Sequence, residues 1–190
     1  SGGLDKTTRG RGVTVIFGDG AGAAVVSRSE DAERGILSTH LHSEGQYAEQ
    51  LTMLGPSTKR WVPEIMKEND PNDTSYYPYM NGNFVFKHAV TRFQEVIGEA
   101  LKQNQCTADE ISILLPHQAN LRIAQFVQRS MKLKDEQVFN NIQKYGNTTA
   151  ASIPIALAEA KQEGKIKKGD LVCLAAFGSG FTWASALIRW

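Results

Sequence analysis

The amino-acid sequence predicts an α/β fold with a mostly parallel sheet that helices cover on both faces and to which the final hairpin adds an antiparallel strand. Two observations support this prediction. First, short apolar runs alternate with helix-period patterns between residues 36 and 190, in the order βαβαβαββ. Second, an apolar run followed by Phe-Gly-x-Gly, small residues and another apolar run occurs around Phe17 and again around Phe177. Such self-similarity indicates an internal duplication in which each unit ends in a hairpin.

The repeat divides the chain into three predicted segments. Residues 1–28 contain the first hairpin, which would end a preceding unit whose beginning the chain lacks. Residues 29–82 connect this hairpin to the rest and include the first strand of the C-terminal unit, at 36–42. The stretch 43–82 has weak periodicity, and irregular stretches of this length are more often functional or interfacial than filler. Residues 83–190 hold the remainder of one complete βαβαβαββ unit.

Each element is predicted from its own periodicity. The apolar runs 13–17 and 23–26 lie on either side of a glycine-rich turn, which predicts the first hairpin. Apolar residues recur at helical spacing from residue 86 to residue 101 and predict a helix. The later elements are predicted in the same way: a strand at 111–115, a helix through 123–131, a strand at 138–142, a helix through 155–160 that stops at Gly164, and a final hairpin of 171–177 and 183–188.

Two polar side chains follow apolar runs at equivalent points of the predicted sheet. His117 comes directly after the run 111–115 and Pro116, and Asn147 follows the run 138–142 and a glycine break. In open α/β sheets, ligands bind at the carboxyl ends of the strands. Taken singly, His117 fits a core or capping histidine and Asn147 fits a helix N-cap. Taken together, their equivalent placement predicts one shared polar site.

Two glycine-rich turns could also carry chemistry. The segment 18–22 has the composition of a phosphate-binding loop, but that motif requires a following helix, and here a strand is predicted. A hairpin turn is therefore the favoured interpretation. The segment 178–180 is also interpreted as a turn, although its backbone N–H groups could hold an oxyanion if they lie near His117 and Asn147.

Composition and charge argue against several classes of protein. The net charge of +1 gives no general basis for nucleic-acid binding. No apolar run approaches the ~20 residues of a membrane span. The first residues lack an initiator Met and the apolar core of a signal peptide, so the chain is expected to be cut or processed. His40 and His42 share a predicted strand face without a third ligand nearby, which argues against a metal site.

The two cysteines favour a structural interpretation. Cys106 lies in a polar loop and Cys173 in an apolar run, so a disulfide between them is not expected and a reducing cytoplasm fits best. Neither has the positive neighbour or helix N-terminus that would make its thiol a nucleophile. No Ser-His-Asp set is legible in the sequence either.

Several motifs resemble the β-ketoacyl-acyl carrier protein synthase III family of condensing enzymes. The segment 116–123 resembles its active-site histidine motif, and 145–154 resembles its active-site asparagine motif. The segments 16–24, 80–87 and 176–183 also match the family pattern. The resemblance covers essentially the whole chain. It implies a thiolase-like fold of two βαβαβαββ units, of which this chain would hold the C-terminal unit and the terminal hairpin of the missing one.

The resemblance also implies an activity. Members of this family start fatty acid synthesis by decarboxylative Claisen condensation of acyl-CoA with malonyl-acyl carrier protein, using a Cys-His-Asn triad. His117 and Asn147 would be two of its members, and the backbone N–H of Ser179 would help to hold an oxyanion. The family has glycine at the position of Ser179, and serine is tolerable if the turn does not need a positive φ. The nucleophilic cysteine would belong to the missing unit, so this chain alone is expected to be inactive.

Further residues receive roles from the same resemblance. Arg11 and Gly12 would contact the adenine and phosphate end of coenzyme A. The pantetheine tunnel would be lined by Met80, Asn83, Phe86, Ala119 and Asn120. A basic rim for the acidic carrier protein would consist of Lys87, Arg122 and Arg129. Each of these charges also fits a solvated surface residue, Arg129 most of all.

The resemblance implies no cofactor beyond the two thioester substrates and no metal, nucleic-acid or membrane partner. The implied partners are the acyl carrier protein, a coenzyme A thioester and the missing N-terminal half, in a cytoplasmic homodimer. Two alternatives stay open. One is a non-catalytic acyl-binding partner that keeps the fold without turnover, against which the presence of both His117 and Asn147 argues. The other is a related condensing enzyme of secondary metabolism.

Overall fold

The computed structural model describes residues 5, 7–8, 10–53, 55 and 77–190. The helices among these residues are α1 (Arg11–Thr14), α2 (Gly82–Gln103), α3 (Leu121–Ser130), α4 (Ile142–Tyr145) and α5 (Ser152–Gln162). The strands are β1 (Gly35–Ser43), β2 (Leu51–Thr52), β3 (Tyr79–Met80), β4 (Ile113–Pro116), β5 (Leu171–Gly178) and β6 (Thr182–Arg189). Short 3-10 turns cover Gly45–Gln50, Ala108–Glu110, Asp135–Gln137 and Thr149–Ala151.

A four-stranded mixed sheet in the order β1-β6-β5-β4 organises the described residues. β4 runs parallel to β5, with Ile113 opposite Val172, whereas β6 runs antiparallel to both β5 and β1. The α/β class is confirmed, and so are the strands predicted at 36–42 and 111–115 and the final hairpin. The expectation of a mostly parallel sheet is wrong for the described residues, because two of the three strand pairs are antiparallel.

The sheet has helices on both faces, as predicted. Alternate residues of β4 point to opposite sides, so Leu114 packs under α2 and α3, while Ile113 and Leu115 pack against α5. Phe93 and Ile97 of α2 are buried on the first face. The long helix predicted from residue 86 to residue 101 is confirmed, as are the helices predicted around 123–131 and 155–160.

The predicted strand at 138–142 is wrong. Only Val138 forms a parallel bridge with Leu114, and the Phe139 N–H donates to the Leu114 carbonyl at 3.0 Å. The chain then leaves the sheet, because the Gln118 side chain takes the next hydrogen bonds that a neighbouring strand would make. Its Oε1 accepts the N–H groups of Asn141 and Ile142, each at 3.1 Å. An apolar run therefore follows the sheet for two residues and then turns into α4.

The predicted first hairpin is also wrong in this structure. Part of its first strand is the short helix α1, Phe17 forms a single parallel bridge with Asn147, and residues 18–30 contain neither helix nor strand. Val25 is 97% exposed. The physical reason is that a two-stranded hairpin alone is only marginally stable, and the four-stranded sheet has no member from this segment. The division into segments 1–28, 29–82 and 83–190 stays a prediction.

Part of the predicted irregular stretch lies outside the described residues, at positions 54 and 56–76. Its two described ends meet in a small antiparallel pair, with Leu51 opposite Met80. This pair brings the chain back to the start of α2, whose N-cap is Asn81. None of the described helices is both long and apolar enough to span a bilayer.

Both cysteines are free. Cys173 lies fully buried in β5, and burial raises the pKa of its thiol to about 12. A thiol with so high a pKa is almost wholly protonated at neutral pH, and the thiolate is the reactive form. Cys173 is therefore a core residue, as the sequence predicted. The half-buried Cys106 donates a hydrogen bond from its thiol to the Asn104 carbonyl at 3.3 Å.

We expect the amides of residues 20–28 to exchange with solvent at nearly the rate of an unstructured chain. These residues make no backbone hydrogen bond to the described part of the chain, whereas β5 is hydrogen-bonded to a strand on each side. Hydrogen–deuterium exchange followed by mass spectrometry on the chain would compare the two regions. Protection of residues 20–28 as strong as that of β5, in a monomer, would contradict the expectation.

Candidate active site

A largely apolar cavity of about 770 Å³ opens at the carboxyl ends of β4 and β5. Several of the residues predicted to form a site line it together: Met80, Phe86, His117, Ala119, Asn120, Asn147 and Ser179. Arg11, Gly12 and Asn83 do not line it and are exposed, although Val13 next to Gly12 does. The sequence thus predicted that His117 and Asn147 share one site, and the structure places both on the same cavity.

The backbone places His117 at the edge of the sheet. Its N–H donates to the Ala175 carbonyl at 2.8 Å, which extends the parallel pairing of β4 with β5 by one residue. The chain then turns sharply, and the side chain of Asn120 caps α3 by accepting the Arg122 N–H at 2.9 Å. Because the strand ends at Pro116 and the helix begins at Leu121, the imidazole lies in the turn between two fixed elements.

The imidazole of His117 is neutral at physiological pH. Burial lowers its pKa from 6.5 to about 4, because a charged ring would lose its hydration there. Its Nδ1 lies 2.6 Å from the hydroxyl oxygen of Ser152, the first residue of α5. A neutral imidazole keeps one N–H donor and one acceptor, so it can donate a hydrogen bond without carrying charge.

Asn147 is positioned by residues that are distant in the sequence, so local periodicity could not predict its place. It pairs with the start of the chain: the Asn147 N–H donates to the Ile16 carbonyl at 2.8 Å, and the Gly18 N–H donates to the Asn147 carbonyl at 3.0 Å. Gly146 has φ +68°, and a Cβ there would lie 2.9 Å from the Ile16 carbonyl oxygen. Glycine is therefore required immediately before Asn147 for the two segments to meet.

The side-chain amide of Asn147 has a defined orientation. Its Oδ1 accepts the Thr149 N–H at 2.8 Å, and a backbone N–H can only donate, so the oxygen must face Thr149. The Nδ2 group makes no hydrogen bond to a described residue and is left as a donor on the side chain that lines the cavity. Asn147 therefore makes a capping contact, as the N-cap interpretation requires. It also has an N–H donor, as a shared polar site requires.

The third predicted element of the site is the turn at Ser179. Ser179 lines the cavity, and its carbonyl accepts the Thr182 hydroxyl at 2.8 Å. It is not among the residues with positive φ, which include Gly180 at +133°. The condition under which serine can replace glycine at this position is therefore met.

Sequence reasoning missed Gln118, which connects the His117 turn to the segment before Asn147. It is 3% exposed. Its Nε2 donates to the Pro116 carbonyl at 2.7 Å and to the Phe139 carbonyl at 3.4 Å, while its Oε1 accepts two backbone N–H groups. The available signal was a long amide side chain directly after the histidine, a residue type that is rarely buried unless its hydrogen bonds are satisfied.

Sequence reasoning also missed Glu159, whose side chain holds the segment before Asn147 from its other side. Glu159 on α5 accepts hydrogen bonds from the Asn141 side chain at 2.8 Å and from the Tyr145 hydroxyl at 3.3 Å. It also pairs with Lys144, and this pairing is the main reason that the pKa of Glu159 lies below its usual value. Helix α4 is therefore held between Gln118 and Glu159, immediately before Asn147.

The remaining candidates lie outside the cavity or have structural contacts. Lys87, Arg122 and Arg129 are exposed on α2 and α3. His40 and His42 both contact Glu99, at 3.2 Å and 2.6 Å, and among the described residues no group of three or more His, Cys, Asp or Glu could hold a metal ion.

Acidification is expected to destabilise the protein through His117. Because its folded pKa of about 4 lies below the unfolded value of 6.5, the unfolded chain binds a proton that the folded chain does not. The free energy of unfolding should therefore fall as pH drops from 6.5 toward 4, with a loss of about 3 kcal/mol from this group at the lower end.

Urea unfolding of the wild-type chain and of His117→Gln across this pH range would measure that loss. The contributions of other groups, such as Glu159, are shared by both proteins and cancel in the difference. The variant should have the shallower pH dependence. Equal pH dependence in the two proteins would show that His117 does not titrate with a lowered pKa.

Comparisons with known proteins show what this chain is similar to. A family model described as 3-oxoacyl-[acyl-carrier-protein] synthase III C terminal matches residues 101–190, and the model of 3-oxoacyl-[acyl-carrier-protein] synthase III matches residues 1–45. The β-ketoacyl-[acyl-carrier-protein] synthase III of Salmonella typhimurium is 48% identical over 179 residues, which are 94% of this chain. The protein of that name from Escherichia coli O1:K1 / APEC is 46% identical over the same length.

Solved structures extend the similarity to three dimensions. The 3-oxoacyl-[acyl-carrier-protein] synthase III of Aquifex aeolicus superposes with a TM-score of 0.82 at 43% identity, over 95% of this chain and 52% of the other. The corresponding synthase of Thermus thermophilus gives 0.83 at 40% identity, over 95% and 53%. The predicted thiolase-like fold is confirmed. The chain spans about half the length of the curated relatives that it matches, since it covers 52% of each.

Proposed function

Because this chain belongs to the 3-oxoacyl-[acyl-carrier-protein] synthase III family, we propose that it forms the C-terminal portion of such an enzyme. The proposed reaction is the decarboxylative Claisen condensation of acyl-CoA with malonyl-acyl carrier protein, an acyl transfer that starts fatty acid synthesis. The nucleophilic cysteine would come from an N-terminal half, so the chain alone would not condense anything. The complete enzyme is proposed to be a cytoplasmic homodimer.

The observation that carries this proposal is that His117 and Asn147 line one apolar cavity. One is a neutral imidazole and the other is an amide whose oxygen is already occupied, so each can donate one N–H without titrating. Apolar walls strengthen such donors, because electrostatic interactions weaken in water. A non-catalytic acyl-binding protein would need the cavity but not these two donors.

The two donors would act on the decarboxylation step. Loss of CO2 from the malonyl group moves an electron pair into the thioester and builds negative charge on its carbonyl oxygen. N–H groups already aimed at that oxygen stabilise the enolate as it forms, and they need no reorganisation to do so. The enolate carbon then attacks the acyl-cysteine thioester, and the cysteine thiolate leaves. The backbone N–H of Ser179 would stabilise the oxyanion formed in that attack.

Both substrates carry a pantetheine arm, for which an apolar cavity is suited. Met80, Phe86, Ala119 and Asn120 line the described cavity and are proposed to contact this arm. Arg11, Gly12 and Asn83 lie exposed outside it. We propose that Arg11 and Gly12 contact the adenine and phosphate end of coenzyme A, as the family implies. Asn83 is proposed to contact the pantetheine arm, although it does not line the described cavity.

The carrier protein is proposed to dock on the exposed basic side chains Lys87, Arg122 and Arg129. Helices α2 and α3 pack against each other, with the rings of Phe86 and Phe126 6.3 Å apart. Lys87 directly follows Phe86, and Arg122 lies one turn before Phe126, so each basic residue is a helical neighbour of one of the two contacting rings. Phe86 also lines the cavity, which would connect the docking surface to the site.

Reversal of two of these charges should weaken carrier docking. In an active enzyme that contains this chain, Lys87→Glu with Arg122→Glu is expected to raise the KM for malonyl-acyl carrier protein by about tenfold. The salt dependence of that KM should become flatter, because fewer opposite charges meet. Steady-state assays at several salt concentrations would measure both. Acyl transfer from CoA should stay nearly unchanged.

Lys102→Glu provides a matched control, since this exposed lysine lies at the other end of α2. It changes the net charge in the same direction without touching the proposed docking surface. An equal loss of both half-reactions in the double variant would indicate misfolding, and a KM equal to that of the control would remove Lys87 and Arg122 from the docking surface.

A complementation experiment tests the proposed function itself. The chain would be expressed alone and fused behind the N-terminal half of the Salmonella typhimurium relative, and both proteins would be assayed for labelled CO2 and β-ketoacyl product. The fusion should be active and the chain alone inactive. Acyl-chain binding without turnover in a folded fusion would favour the non-catalytic alternative. Product analysis would distinguish a condensing enzyme of secondary metabolism.

A further inference from the structure

Ser152 is a buried polar residue whose position is explained by neither the core nor the cavity. It is 2% exposed and begins α5, five residues after Asn147. Its hydroxyl oxygen lies 2.6 Å from Nδ1 of His117. It is absent from the residues that line the cavity, so it does not meet a substrate there. Its only described side-chain partner is the imidazole that the proposed function needs.

The hydrogen bonds around Ser152 indicate which atom donates. Its Oγ also lies 3.3 Å from the backbone nitrogen of Gln118. A backbone N–H can only donate, so this contact uses a lone pair of Oγ and leaves the hydroxyl proton for another acceptor. Nδ1 of His117 is the one other hydrogen-bond partner of Oγ among the described residues. Oγ has a second lone pair and could accept from an Nδ1–H, but the buried hydroxyl proton would then have no acceptor among the described residues. Because buried polar groups are normally hydrogen-bonded, donation from Oγ to a lone pair on Nδ1 is the favoured arrangement.

We propose that Ser152 is a positioning residue that holds His117 in the Nε2–H tautomer. A neutral imidazole with a lone pair on Nδ1 carries its proton on Nε2. The Nδ1 edge of the ring is turned to Ser152 and His117 lines the cavity, which leaves Nε2 as the ring nitrogen available to a ligand. The alternative tautomer would present a lone pair at the same place.

The consequence for catalysis rests on the proposed function. A lone pair that faces the thioester oxygen would repel the enolate as its charge develops, whereas an N–H would stabilise it. Ser152 would therefore act on decarboxylation through His117, without contact to the reacting atoms. Acyl transfer from CoA would not depend on the tautomer, since that step gains its power from the cysteine nucleophile.

Nitrogen NMR of protein labelled with ¹⁵N-histidine reads the tautomer directly, because protonated and unprotonated ring nitrogens resonate far apart. The His117 signals would be assigned by their loss in His117→Gln. Wild-type protein should show the proton on Nε2. In Ser152→Ala the ring should become a mixture of both tautomers, and Ser152→Thr, which keeps the hydroxyl, should restore the wild-type pattern.

Ser185→Ala is the matched control. Ser185 is also buried, at 5% exposure, and its hydroxyl donates to the Val96 carbonyl at 2.8 Å, so its loss removes a comparable hydrogen bond elsewhere. It should leave the tautomer of His117 unchanged. In the active enzyme, kcat for CO2 release should fall about tenfold in Ser152→Ala, with little change in KM or in acyl transfer.

A proton on Nδ1 in the wild-type protein would overturn the proposal, and this result does not depend on any variant folding. Retention of the pure Nε2–H tautomer in folded Ser152→Ala would overturn it as well. Absence of CO2 release from the wild-type enzyme would instead reject the proposed function. The tautomer measurement would still decide the role of Ser152.

Discussion

Replacement of His117 by alanine is expected to slow CO2 release from malonyl-acyl carrier protein by about 10²–10³-fold in an active enzyme that contains this chain. Removal of one donor to a developing oxyanion typically raises the barrier by ~2.7–4 kcal/mol. The neutral imidazole described here has a pKa of about 4, so its contribution is the N–H and not a charge. Transfer of the acyl group from CoA to the cysteine should survive. A stopped assay that follows labelled acyl-enzyme beside labelled CO2 would separate the two steps.

The second proposed donor, Asn147, permits a sharper comparison. Asn147→Ala removes both the Nδ2 donor and the oxygen that accepts the Thr149 N–H. Asn147→Asp keeps that acceptor, loses the donor and adds a negative charge when the carboxyl is ionised. Both variants should lose CO2 release if the donor matters. If Asn147→Asp keeps a normal rate, Asn147 is only a local cap, and the paired-donor site is wrong. His88→Ala is a control for loss of an imidazole outside the cavity lining.

Replacement of Gln118 by alanine should cost on the order of 3–5 kcal/mol of unfolding free energy. A buried polar group left without a partner typically costs about 1–3 kcal/mol, and this change affects several at once. The N–H groups of Asn141 and Ile142 lose their acceptor, and the carbonyls of Pro116 and Phe139 lose their donor. Water that enters the space would recover part of the loss.

Urea unfolding would measure this loss against a matched variant, Gln128→Ala. Gln128 lies on α3 and makes a single exposed hydrogen bond to Asp135, so its removal should cost less than ~1 kcal/mol. Gln118→Ala should also shift the segment that leads to Asn147. A loss as small as that of the control would mean that the backbone around Asn141 finds other partners.

The sequence predicted those parts of the molecule that depend on local pattern. The apolar run that ends at Pro116 is a strand, and His117 follows it at the cavity. Both were predictable because the length of this strand and its end depend only on consecutive residues. The helix of residues 86–101 was predicted for the same reason, since its buried face repeats at helical spacing. The shared cavity of His117 and Asn147 was also predicted, although from an incorrect strand.

What the sequence could not predict depends on contacts between distant residues. Asn147 is held by pairing with Ile16 and Gly18, and the separation from Phe17 is 147 − 17 = 130 residues. The run 138–142 has the composition of a strand, but a single side chain, Gln118, satisfies the hydrogen bonds that a neighbouring strand would have made. The run 23–26 likewise has strand composition, but no strand among the described residues pairs with it.

The pairing of Ile16 and Gly18 with Asn147 has a consequence for engineering the protein. These two hydrogen bonds form a non-covalent staple between residues 16–18 and the candidate site. Residues 20–28, in contrast, make no backbone hydrogen bond to the described chain. Insertions, affinity tags or a circular-permutation breakpoint belong in the exposed residues 23–28, because the backbone at Gly20 and Gly22 lies close to Ile155 and Pro154 of α5. Deletions that reach back to Gly18 would release the Asn147 loop. A split version of the protein should therefore be cut after the staple and never before it.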